Sequence, residues 1–258
     1  GFSVAPHEVV KCGVWAKGRF RGEQMLYHSE RIYGIDISKY QHVYKRWVYG
    51  IDWRNLRITR LGHTADRNAL GAVDYPVSFV YIKSTEGLTV FNPYYTRDVR
   101  AARRYGFPVG AYHFFSTRPA MRQADYFLKK SRLQKGDLPP MLDVELSDRR
   151  IAAMGGRDVL FREMLVWLKE VGRRSGTMPI IYVSQDFVNR YMPFAPEELK
   201  AYPVWVARYG EYKPYVHLLY WQLSSDGRVR GIQGDVDIDV FNGSEEQFKR
   251  YLRTQTVK

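Results

Sequence analysis

The sequence predicts a closed α/β barrel of eight strands, on three observations. Apolar runs of strand length recur eight times between Ile32 and Phe241. Helical patterns separate several of them, and strand–helix–strand alternation calls for a mostly parallel sheet with right-handed crossovers. The span involved, about 230 residues, is the usual size of a closed α/β barrel.

Residues 1–31 are basic and lack periodicity, and read as an irregular N-terminal extension ahead of a barrel domain over 32–258. The strands are then expected at IYGIDI (32–37), VSFVYIK (77–83), PVGAYHFF (108–115), PPMLDVE (139–145), MPIIYVS (178–184), PVWVAR (203–208), HLLYWQL (217–223) and VDIDVF (236–241). The long segment 42–76, with Gly50, Gly62 and Gly71, reads as a helix plus an insertion near the barrel mouth. Between the second and third strands, NPYYTRDVRAARRYG offers Asn92 as a cap, Pro93 in the first turn and Gly106 as a stop. RPAMRQADYFLKKSR and GRDVLFREMLVWLKEVGRRSG also carry apolar residues at helical spacing. In the second, Val159, Leu160, Met164, Trp167, Leu168 and Val171 form a core stripe. After residue 203 the spacing tightens and leaves little room for full helices, so about five helices are expected for eight strands.

Composition narrows the function classes. No apolar stretch reaches the length of about 18 residues that a membrane span needs. Cys12 is the only cysteine, which excludes an intramolecular disulfide and a Cys-rich metal site. The six histidines show no paired metal-ligand spacing such as His-Glu-x-x-His. With 40 Lys and Arg against 27 Asp and Glu, the chain carries +13 and favours a polyanionic partner or simply a soluble basic surface. The basic residues spread over helix faces rather than forming one block, and no nucleic-acid-binding module is recognisable. No signal-peptide pattern opens at Gly1, so export would require a segment ahead of this sequence.

The acids fall where a barrel does its chemistry, at the strand ends. Asp36 ends the first strand, Glu86 follows the second, Asp143 and Glu145 end the fourth, and Asp237 and Asp239 lie in the last. In a strand, residues two apart share a face, so Asp143 and Glu145 point the same way. Closure brings the first and last strands together, and Asp36 and Asp237 would then meet Asp143 and Glu145 across one mouth. Clustered carboxylates cannot all ionise freely, and one held protonated is a general acid at neutral pH. Glycosidic cleavage needs such an acid beside anions that stabilise an oxocarbenium-like state. Tyr81, Tyr112, Phe114, Tyr182, Trp205 and Trp221 are placed to wall a sugar site, although aromatics also serve as core. Ion pairing with Lys or Arg, or a carboxylate-lined Mg²⁺ or Ca²⁺ site, are the other readings of the acids.

The motifs GIDISKYQ, FVYIKSTEG, GAYHFF, PPMLDVE, IIYVS, VWVARYG and YWQLSSDGRVRGIQGDVDIDVF, in this order over about residues 32–242, resemble the family-25 glycoside hydrolases, the Chalaropsis-type lysozymes. The resemblance implies a flattened TIM-like barrel and cleavage of the β-1,4 bond between N-acetylmuramic acid and N-acetylglucosamine in peptidoglycan. It implies Glu145 as general acid/base and Asp143, Asp36 and Asp237 as supporting carboxylates, with no cofactor or metal. Asp239 stands where the family has Asn or Asp and is left outside that set. Glycan strands, and anionic cell-wall polymers besides, are the partners implied for a secreted, periplasmic or wall-associated monomer. A non-catalytic glycan-binding barrel would have no need of four mouth carboxylates. A chitinase-like enzyme would show a longer acidic series, whereas GDLPPMLDVE has only Asp137 before the pair.

Overall fold

The computed structural model describes residues 2–3, 11–17, 19–23, 31–64, 67–69, 72–207 and 216–258. Eight strands close into a barrel: β1 (Ile32–Ile37), β2 (Val80–Glu86), β3 (Val109–Phe114), β4 (Met141–Val144), β5 (Ile180–Ser184), β6 (Pro203–Ala207), β7 (His217–Arg230) and β8 (Val236–Phe241). Neighbours from β1 to β7 are parallel, while β8 runs antiparallel to both β7 and β1. The reversal has a simple cause. Only residues 231–235 separate β7 from β8, and a parallel crossover needs a dozen or so residues.

Seven helices accompany the barrel among the described residues, not about five: α1 (Tyr95–Arg104), α2 (Ala120–Ser131), α3 (Asp148–Ala153), α4 (Arg157–Ser175), α5 (Gln185–Arg190), α6 (Glu197–Lys200) and α7 (Glu245–Thr254). The three helical patterns hold α1, α2 and α4. The others include turns too short to show a stripe, such as α5, where the Ser184 hydroxyl accepts from the Phe187 N–H. The α4 stripe packs as expected, with Leu160, Met164, Trp167, Leu168 and Val171 fully buried and Val159 half-buried.

Strand alternation divides the core into two parts. Ile35, Val80, Ile82 and Val144 face outward and meet the helices in an aliphatic layer. Inside the barrel lies a second, aromatic cluster: Phe79, Tyr81, Trp205, Tyr220 and Phe241, joined from below by Phe248 and Tyr251 of α7. Tyr81 meets Trp205 edge-on at 5.0 Å, and Phe241 and Phe248 lie 5.0 Å apart. Such ring pairs add about 0.5–1.5 kcal/mol each beyond their burial. Because β8 descends, α7 follows it at the lower end and plugs the barrel there.

Two glycines make room for this filling. A Cβ on Gly34 would stand 2.2 Å from the Phe79 ring, and one on Gly110 would stand 2.3 Å from the Tyr81 ring. Gly34→Ala therefore forces Phe79 out of its place and is expected to cost about 3 kcal/mol by overpacking. Equilibrium unfolding in denaturant measures this; a loss under about 1 kcal/mol would show that Phe79 can yield.

Four local expectations fail. Segment 42–76 contains no α-helix among its described residues. It forms 3₁₀ turns at Lys39–His42 and Trp53–Asn55, a hairpin of Val43–Tyr44 with Trp47–Val48, and a strand Arg57–Arg60 that pairs with the outer half of β7. No helical stripe opposed this: in RITR the alternation buries Ile58 between the half-buried Arg57 and Thr59. The extension is likewise not irregular throughout, since Phe2–Ser3, Lys11–Ala16 and Arg19–Glu23 form a three-stranded sheet. The second strand also starts and ends three residues later than its apolar run, at Val80–Glu86. Its polar end is buried yet satisfied, with Thr85 Oγ1 2.7 Å from His113 Nδ1 and Ser84 Oγ accepting from Ser131 Oγ at 2.8 Å. Glu86 is thus the last residue of β2 rather than part of the following loop.

Candidate active site

Above the aromatic filling the barrel interior turns acidic. In β1 the inward positions are Ile32, Gly34 and Asp36, so one strand runs from apolar floor to carboxylate mouth. The ladder sets Asp36 opposite Asp237 on one side and beside Tyr81 on the other. Asp237 is the second residue of β8, which would place it at the floor of an all-parallel barrel. The descent of β8 brings it to the mouth. Across the opening, β4 carries Asp143 between Phe114 and Tyr182, with Glu145 just past the strand end.

These four acids line one cavity of about 320 Å³ with Ser38, Tyr40, Lys83, Tyr112, Phe114, Met141, Tyr182, Gln222 and Ser225. Lys83 is the one cation in this lining, and it is bonded to Glu86 at 2.7 Å. None of the four acids forms an ion pair among the described residues, so simple salt bridging does not explain the cluster. Nor, among those residues, are three His, Cys, Asp or Glu side chains arranged to hold a metal ion.

Burial and mutual repulsion keep protons in the site. Desolvation, reinforced by the Glu145 charge, lifts Asp36 to about 7, although Tyr112 and Gln222 hydrogen bonds hold it back. Desolvation and then Asp36 lift Asp237 to about 9. Asp143 is raised well above the ordinary carboxylate range by burial, then by Glu145 and Asp36, and its Oδ1 is buried with no hydrogen-bond partner among the described residues. Glu145, exposed at the mouth, is raised by partial desolvation and restrained by Lys83 and by Tyr182. Asp239 sits one layer deeper, opposite Gly34, fully buried and likewise pushed upward.

For Asp36 and Asp237 the folded state binds protons more tightly than the unfolded chain, whose aspartates titrate near 3.8. Stability is thus greatest near that ordinary value and declines as pH rises toward 7 for Asp36 and toward 9 for Asp237. Thermal melts between these limits should show a falling midpoint, and Asp237→Asn should flatten the upper part of the fall. A midpoint that climbs with pH would contradict the assignment.

The aromatic candidates separate by depth. Tyr112 and Tyr182 reach the cavity, Tyr112 among Asp36, Asp143 and Asp237, and Tyr182 donating to Gln222 Oε1 at 3.1 Å. Phe114 forms part of the wall, with Lys83 Nζ 4.4 Å from its ring centre. Tyr81 and Trp205 are not brought to the mouth but fill the barrel, and Trp221 faces the outer layer. The sequence reading missed Tyr40, Lys83, Gln222 and Ser225. Lys83 and Gln222 carried a usable signal, since each lies two residues beyond an inward position of its strand.

Residues 35–232 match the family model described as glycosyl hydrolases family 25. The chain is 34% identical over 228 residues to the uncharacterized protein YegX of Escherichia coli K12, covering 87% of this chain and 74% of that one. It is 28% identical to lysozyme M1 of Streptomyces globisporus, over 83% of this chain and 68% of the relative. Among solved structures, a bacterial lysozyme from Streptomyces coelicolor superposes with a TM-score of 0.69 at 26% identity, over 88% of this chain and 98% of that one.

Proposed function

The chain belongs to family 25 of the glycosyl hydrolases and is a glycoside hydrolase, and from that premise we propose that it is a muramidase, cleaving peptidoglycan at the β-1,4 bond between N-acetylmuramic acid and N-acetylglucosamine. The observation that carries the reading is the convergence of Asp36, Asp143, Glu145 and Asp237 in one cavity without a compensating ion pair. Relatives named lysozyme and N,O-diacetylmuramidase supply the substrate class.

In this reading Glu145 is the general acid. It is the most solvent-accessible of the four, and partial desolvation raises it above the ordinary carboxylate value, in the direction a proton donor needs. Its proton passes to the glycosidic oxygen as the bond from the anomeric carbon breaks. The substrate's own acetamido oxygen then bonds to that carbon, as substrate-assisted glycosidases do. Asp143 orients the acetamido group, whose N–H its unpartnered Oδ1 is available to accept. Glu145, now a carboxylate, takes a proton from the water that attacks the anomeric carbon; the bond from that carbon to the acetamido oxygen breaks, which restores the acetamido group and regenerates the acid. Asp36 and Asp237 hold protons near neutrality and donate hydrogen bonds to the sugar or to their neighbours.

The test is mass spectrometry of fragments released from purified peptidoglycan and reduced with borohydride. Muramitol ends are expected. Glucosaminitol ends would keep the glycosidase and overturn the bond assignment.

The charge of +13 fits a wall-associated enzyme, because stem peptides and many wall polymers are anionic. Retention of the Glu145→Gln variant on purified walls should fall steeply from about 0.05 M to about 0.5 M salt, as the screening length shrinks. Retention that ignores salt would remove this role for the charge.

A further inference from the structure

Beside the cavity stands a segment that hydrolysis of a single bond does not require. Of the ten exposed large apolar side chains among the described residues, five lie between positions 40 and 48: Tyr40, Val43, Tyr44, Trp47 and Val48. Such a concentration is uncommon on a soluble surface and marks an interaction site. Tyr40 is 68% exposed yet also lines the cavity, and Trp47, at the far end of the hairpin, is 70% exposed. Exposed apolar side chains therefore begin at the catalytic mouth with Tyr40 and recur along the adjoining hairpin.

The hairpin that carries it is held rather than loose. Val43 pairs with Val48 and Tyr44 with Trp47, so Lys45 and Arg46 form a two-residue turn. Both have positive φ, +46° and +72°, in a turn where Asn-Gly would be relaxed. Strain of this kind persists only where the surroundings enforce it. The base supplies that enforcement. His42, fully buried, places Nε2 2.6 Å from Asp98 Oδ2 and Nδ1 3.0 Å from the Tyr49 carbonyl, with the Tyr94 ring stacked on it at 4.1 Å. On the other flank Gln41 Nε2 donates to the Asp235 carbonyl at 3.1 Å. The outcome is a fixed turn presenting two cations, Lys45 and Arg46, with Lys39 at its foot. None of the three forms an ion pair among the described residues.

We propose that residues 39–48 form an arm that binds the substrate strand beyond the cleaved bond, with Tyr40, Tyr44 and Trp47 against sugar rings and Lys39, Lys45 and Arg46 against the carboxylates of its substituents. The proposal rests on the muramidase reading and adds to it. Adjacency to the cavity selects the occupant, because a polymer bound across the mouth must leave it along some wall. Charge complementarity selects the same occupant: the sugars are stacked by aromatics, and the peptide carboxylates are met by cations.

The test compares two substrates, purified sacculi and short tetrasaccharide fragments carrying stem peptides, for wild type, Trp47→Ala and the double variant Lys45→Glu/Arg46→Glu. These side chains sit on the exposed hairpin, away from the core. The expected result is a loss of kcat/KM on sacculi at least ~5-fold greater than on the fragments, about 1 kcal/mol of strand binding. Equal losses on both substrates, or none, would overturn the arm. So would a loss of binding to phosphatidylglycerol vesicles with sacculus hydrolysis intact, which would assign the hairpin to a bilayer. A variant that shifts a dimer to a monomer, with hydrolysis unaffected, would assign it to a second copy and overturn the arm as well. Wild type alone tests the underlying reading. If it releases nothing from sacculi, the muramidase reading fails and the arm falls with it.

Discussion

Glu145→Gln should reduce kcat on peptidoglycan by about 10³- to 10⁴-fold, at the upper end of what a positioned proton donor contributes. The amide keeps the shape of the side chain and cannot deliver a proton to the glycosidic oxygen. Binding to walls should survive, since Glu145 lies at the cavity rim and its removal deletes one negative charge near an anionic polymer. Leaving-group chemistry offers a second, sharper readout. A substrate whose leaving group departs as a stable phenolate needs little protonation, so the variant should lose far less on it than on sacculi. Equal losses on both substrates would mean that Glu145 positions the substrate and does not protonate it. Wild-type turnover in the variant would remove it from the mechanism.

Asp143→Asn should lower kcat by about 10²- to 10³-fold, the scale of losing one preorganised electrostatic contact to the transition state. KM should move little, which separates a group acting in the transition state from one that merely binds the sugar. The two effects should not add. With Glu145 already changed to Gln, the second substitution should cost much less, because both groups serve one step. Asp143 is itself pushed up by burial and helps raise Tyr112 and Tyr182, so the variant should melt at a higher temperature in alkaline solution than the wild type. Unchanged turnover on walls would end the proposed role of Asp143.

The barrel was legible because its signals are local and redundant. Eight apolar runs and three amphipathic stretches indicate strands and helices with little help from distant contacts, as at Ile180–Ser184 or Arg157–Ser175. The acids were legible for a related reason, since carboxylates at the ends of apolar strands have few structural excuses. The direction of β8 was not read. Its sequence resembles that of its neighbours, and only the brevity of 231–235 betrays the reversal that delivers Asp237 to the mouth. Depth was equally hidden. Tyr112 and Tyr81 occupy comparable places in their apolar runs, yet the first reaches the acids and the second is sealed beneath them, because the ladder pairs Tyr112 with Lys83 and Tyr81 with Gly110. Segment 42–76 failed for want of period: its fold comes from anchors such as His42 with Asp98, 56 residues apart in the chain.

The descending last strand has a practical consequence. The chain leaves the barrel on the side away from the substrate. After α7, the Val257 N–H donates to the Asp137 carbonyl and the Lys258 N–H to the Ser175 carbonyl, beside the starts of β4 and β5. Coupling the protein to a bead or a fused partner through residue 258 would therefore leave the mouth facing outward, as a solid-supported enzyme acting on particulate walls requires.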